Sequence, residues 1–175
     1  MEKANRDFGA TMGGLRETVS ASTGGDSLAY IIVRPEAQPS PILTAVHSGR
    51  YALLNITANI IDLDKSSKWA KRMLTDPQGL GLMNQMAVDT MEWINIGDLN
   101  PRSSRAFTSR AAYIEGDQRN LLVGFNARNG AWTEHYGLRK INGRWLQSVR
   151  VFSNPGNKKL LDLTDPGYPA ETNPQ

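Results

Sequence analysis

Apolar and polar residues alternate most regularly between residues 119 and 152, where Asn129-Gly130 and Asn142-Gly143 interrupt two long alternating runs. Asn-Gly favours the tight hairpin turn in which both central residues have positive φ. The segment therefore reads as three consecutive antiparallel strands. A two-residue loop at 129–130 pairs Ala127 with Trp132, Phe125 with Glu134, Val123 with Tyr136 and Leu121 with Leu138. A loop at 142–143 pairs Lys140 with Trp145, Leu138 with Gln147, Tyr136 with Val149 and Glu134 with Val151. Opposed residues share a face, so both turns gather Leu121, Val123, Phe125, Tyr136, Val149 and Val151 on one apolar face, which must be buried. The other face carries Asn126, Arg128, Thr133, His135, Arg139, Ser148 and Arg150. Leu122, Ile141, Leu146 and Phe152 also fall there, so another segment is expected to cover part of it.

The rest of the chain supplies shorter strands. Residues 27–34 and 42–47 read as strands around a proline loop, and Leu54, Ile56, Ala58 and Ile60 alternate with polar residues in a third. Residues 64–92 lose the alternation and read as an irregular insertion with one short helix holding Trp69 and Met73, capped by Asp64 or Ser66. Strands resume near 93–96 and 105–115, and a last one is expected at 158–163. Phe8, Met12, Leu15 and Val19 form a helical stripe in 3–20, weakened by glycines. The expected fold is an all-β antiparallel sandwich of seven or eight strands, with a short N-terminal helix and a small helical insertion. Its divisions are an N-terminal helix or stalk over 1–23, the sandwich over 24–163, and an extended or disordered tail over 164–175.

Composition narrows the chemistry. The 175 residues suit one domain, and the absence of cysteine excludes disulfides, thiolate metal sites and cysteine nucleophiles. A net charge of +3 without a run of Lys or Arg gives no reason to expect a nucleic-acid partner. No stretch approaches the length of a membrane span, so no membrane insertion by this chain is expected. The two histidines, His47 and His135, lie in no metal-ligand spacing, and Asp62 and Asp64 after a strand suit a helix cap better than a cation site. Neither a metal nor a cofactor is expected.

The segments Gly24–Ser27, 49–64, Gly97–Pro101, Ala127–Trp132 and Leu138–Trp145 together resemble a set of uncharacterised bacterial immunoglobulin-like β-sandwich domains. The resemblance implies a domain placed after transmembrane or coiled-coil segments, membrane-associated in its full-length protein, and it supplies no catalytic residues. The expectation is a non-catalytic accessory domain that binds an acidic protein or a small anionic ligand through Arg128, His135, Arg139 and Arg150, since arginines take carboxylates and phosphates in bidentate fashion. One alternative is a carbohydrate-binding module using Trp69, Trp93 or Trp132. Another is a hydrolase built on Glu134 with Asp89 or Glu92. Glu134 is the odd acidic residue on the apolar face, and its simplest placement is at the sandwich rim or beside an arginine.

Overall fold

The computed structural model describes residues 17–19, 25–35, 42–75 and 83–170. Nine strands are present among them: β1 (Leu28–Val33), β2 (Ile42–Ser48), β3 (Leu53–Asp62), β4 (Met91–Leu99), β5 (Ser104–Thr108), β6 (Gln118–Ala127), β7 (Gly130–Ile141), β8 (Arg144–Asn154) and β9 (Lys159–Thr164). They form a three-stranded sheet, β1-β2-β5, and a six-stranded sheet, β4-β3-β6-β7-β8-β9, antiparallel throughout. The all-β sandwich is thus present, with more strands than expected. Residues 17–19 are helical; the rest of the expected N-terminal helix lies outside the described residues.

The second hairpin has the expected register. Asn142 and Gly143 have φ of 50° and 80°, and Ile141 pairs with Arg144. The first is displaced by two residues: Ala127 pairs with Gly130 and Phe125 with Trp132, leaving Arg128 and Asn129 as the loop. Of the Asn-Gly pair only Gly130 has positive φ. Asn129 instead donates its side-chain N–H to the carbonyls of Gly25 and Ser27, at 3.2 and 2.7 Å. A displacement of two preserves the faces. Leu121, Val123, Phe125, Trp132, Tyr136, Leu138, Val149 and Val151 are all buried, and the Phe125 and Trp132 rings stack with centroids 5.4 Å apart.

Three other expectations shift. A bulge at Asn55, with φ of 55°, buries Leu53 in place of Leu54. The fifth strand stops at Thr108, where Ser109 caps a short 3-10 turn, Arg110–Ala112, by accepting the Ala111 N–H. The insertion holds two helices, α1 (Leu63–Thr75) and α2 (Met83–Thr90). The α1 cap is Asp62, which accepts the Lys65 N–H at 3.0 Å. Asp62 also opposes Arg119 at 2.9 Å, both side chains almost fully buried. Asp64 is spent on strand β6, accepting the main-chain and side-chain N–H groups of Asn120 at 2.7 and 2.6 Å.

The sheets are tied together where β1 meets β7. β1 pairs with β2 on one side only, which leaves its other edge with bare N–H and C=O groups. Side chains from the inner face of β7 take these groups in turn. The Trp132 indole donates to the Ala29 carbonyl at 2.7 Å, the Ile31 N–H donates to Glu134 Oε2 at 2.8 Å, and the Val33 N–H donates to Tyr136 Oη at 3.3 Å.

Candidate binding face

Glu134 sits neither at the rim nor beside an arginine. It is completely buried between Val123 and Val151, and burial raises its pKa well above the usual carboxylate range against the smaller opposing pull of the Ile31 N–H. Asp89 and Glu92 lie elsewhere, where α2 passes into β4, and Glu92 accepts from the Ser109 hydroxyl at 2.7 Å. Glu134 is thus not paired with a second carboxylate across a cleft. His47 is buried and its Nε2 lies 2.7 Å from the Tyr51 carbonyl. Among the described residues no group of three or more His, Asp or Glu side chains is arranged to hold a metal.

The outer face of the six-stranded sheet holds the predicted basic residues but does not gather them. His135 and Arg150 are direct cross-strand partners, as expected. Arg139 pairs with Gln118, whereas Arg128 follows Ala127 at the other end of β6, so a 10-residue strand of about 33 Å separates the two. Asp162 on β9 stands opposite Arg150, and its pKa is lowered by hydrogen bonds from Lys159 and Thr164, with a smaller pull from Arg150.

Residues after β9 fold over one end of this face. Asp165 exchanges hydrogen bonds with the backbone of Gln147, and Tyr168 lies so close to Gly137 that a Cβ there would meet its hydroxyl at 2.0 Å. The Arg139 guanidinium stands 5.9 Å from the Tyr168 ring centre. This segment supplies the cover expected over Leu146, which is buried, with Gly167 beside it. Between β8, β9 and the segment runs a cleft of about 300 Å³, lined by Ser148, Arg150, Asp162, Thr164 and Tyr168.

The other end of the face is open and different in kind. Strand order places Trp93, Asn59, Gly124, Thr133 and Phe152 in one row across five strands. Trp93 is 70% exposed. The tryptophans suggested for carbohydrate contact therefore separate: Trp132 is buried in the core, Trp69 is half-buried with Arg72 over its ring, and Trp93 stands in solvent. Alternation alone marks Asn126 and Thr133; it does not align them with Asn59 and Trp93, because β3 pairs with β6 across a long gap in sequence.

Comparison with protein-family models, with curated proteins and with solved structures finds no match to this chain. The site is accordingly judged on its own geometry.

Proposed function

We propose that this chain is a non-catalytic ligand-binding β-sandwich domain, with the outer face of the six-stranded sheet as its binding surface. The immunoglobulin-like kinship suggested by its turn motifs is part of the same reading, as is an accessory role within a larger protein. One observation carries it: the polar groups of the two faces are used differently. On the inner face Trp132, Glu134 and Tyr136, the groups that most resemble a reactive cluster, are all engaged in holding the edge of β1. On the outer face, exposed polar and aromatic side chains stand on rigid strands, an arrangement that presents a surface without a reaction centre. The His135–Arg150 pair and the adjoining cleft give this face a charged end suited to carboxylate or phosphate groups.

The test is to titrate isotope-labelled protein with two probe sets, neutral oligosaccharides and the anions phosphate and citrate, following backbone amide shifts and probe turnover. Binding without turnover, with shifts concentrated on β3, β6, β7 and β8, is the expected result. Turnover of a probe, shifts confined to the β1-β2-β5 sheet, or no binding by either set would overturn the proposal.

A further inference from the structure

Resting on that reading, we infer that the open end of the outer face binds an uncharged oligosaccharide, laid across the strands between Trp93 and Phe152. The row Trp93, Asn59, Gly124, Thr133, Phe152 crosses four strand spacings, roughly 19 Å. Its ends are aromatic and its middle is low. A Cβ built on Gly124 meets nothing within 4 Å, so the floor of the row is empty space between two walls.

The neighbouring row is Asn95, Thr57, Asn126, Ala131 and Asn154. Over the five strands β4, β3, β6, β7 and β8 neither row has a charged side chain, in a protein whose residues are 21% charged; on β9 the first row ends at Lys159, opposite Phe152, which is paired with Asp162 at 2.8 Å. Four of the ten positions are asparagine and two are threonine. Among the described residues, the side chains of Asn95, Asn126, Thr57 and Thr133 make no hydrogen bond, and the amides of Asn95 and Asn126 are exposed; Asn59 Oδ1 also has no partner but is covered, so it lies beneath the row rather than on it. Free amides offer both donors and acceptors, which is what sugar hydroxyls require. The indole of Trp93 offers an apolar face with a polar edge, suited to a ring that is itself apolar on one side.

Charge complementarity selects the occupant. A neutral surface gains nothing from an acidic or basic partner, whose charges would lose water without a counter-charge. The charged row of His135, Arg150 and Asp162 begins beside this trough and sets its limit. An uncharged polyol matches the aromatic walls and the unengaged amides together.

The experiment uses affinity electrophoresis and calorimetry with neutral hexasaccharides of glucose, xylose, mannose and N-acetylglucosamine. Three variants accompany the full chain: Trp93→Ala, Gly124→Val and Arg150→Gln. Gly124→Val fills the trough and its Cβ meets open space, so the fold is expected to persist, and an unchanged thermal melt is the check. At least one hexasaccharide is expected to bind. Its affinity should fall tenfold or more in both Trp93→Ala and Gly124→Val, while Arg150→Gln and added salt leave it unchanged. Retained affinity in either trough variant, or loss in Arg150→Gln with a marked salt dependence, would overturn the inference. If phosphate or citrate binds at Arg150 while every hexasaccharide fails, the inference falls and the outer-face reading stands. If both probe sets fail, both fall.

Discussion

Glu134→Gln should make the domain more stable, by an amount that grows with pH. The Glu134 carboxyl is 0% exposed; its one hydrogen bond comes from the Ile31 N–H, and Oε1 has no partner among the described residues. Among the described residues no cation pairs with the charge: desolvation raises the pKa, and the Ile31 N–H offsets only part of it. The folded chain therefore keeps a proton that the unfolded chain releases near pH 4.5, the ordinary value. Folding takes up that proton, so stability is fully present below the unfolded pKa and is lost as pH rises toward the folded one. One proton sets a ceiling on the slope of about 1.4 kcal/mol per pH unit. Glutamine keeps an oxygen for the Ile31 N–H and carries no titrating proton.

The assay is urea unfolding of both proteins from pH 4.5 to 8. The stability of Glu134→Gln minus that of the parent should climb with pH and then level at the folded pKa. Taking the difference cancels other titrations, including that of Asp162, whose lowered pKa acts with the opposite sign in both proteins. Glu134→Ala separates charge from structure. It strands a buried N–H, at about 1–3 kcal/mol, and opens a cavity worth roughly 2 kcal/mol more, a loss present even at pH 4.5. A flat difference for Glu134→Gln across the range would refute a buried, proton-holding Glu134.

Three further outcomes are expected. Gly49→Ala should cost at least about 2 kcal/mol by urea midpoint, because φ is 125° and the new Cβ would lie 2.6 Å from Ser27 Cα. Arg119→Met should cost about 3 kcal/mol by removing the closer and fully buried of the two cations on Asp62, leaving it the more distant Lys65 at 3.7 Å, and adding Asp62→Asn should recover part of the loss. Gly137→Ala should evict Tyr168 from the sheet while changing global stability by under about 1 kcal/mol; faster nitration of Tyr168 by tetranitromethane, read by peptide mapping, is the readout, and an unchanged rate would disprove the contact.

What could be read from the sequence was whatever depends on neighbours along the chain. The 142–143 hairpin obeys local turn chemistry, and its register follows without help. The 129–130 hairpin carries the same dipeptide, yet Asn129 is drawn to the carbonyls of Gly25 and Ser27, over 100 residues away. A long-range pull of this kind has no periodicity to betray it. The buried face survived the error because an even displacement keeps side chains on their side. Glu134 stood out as an anomaly on an apolar face, but its partner is the backbone of a distant strand edge, and backbone leaves no mark in sequence. The basic patch failed as a unit for a plainer reason. Sharing a face does not mean sharing a place, and a strand of about 33 Å keeps Arg128 from Arg139.

Strand β7 shows how the two halves of the molecule divide their work. Trp132, Glu134 and Tyr136 point inward and hold β1; Thr133, His135 and Gly137 alternate with them and point outward. Because the period is two, a substitution on one face leaves the anchors of the other in place. Residues of these two outer rows are half-buried or exposed and bear little of the packing energy, whereas each inner anchor satisfies a main-chain group on the edge of β1 that no described strand pairs. The outer face is consequently free to change its chemistry at small cost to folding. A neutral, asparagine-rich trough at one end and a charged cleft at the other are both compatible with a single, unchanged core. The discriminating pair of mutations follows from that independence: Gly124→Val on β6 and Arg150→Gln on β8 lie at outward positions with β7 between them, and each should alter only its own end of the face.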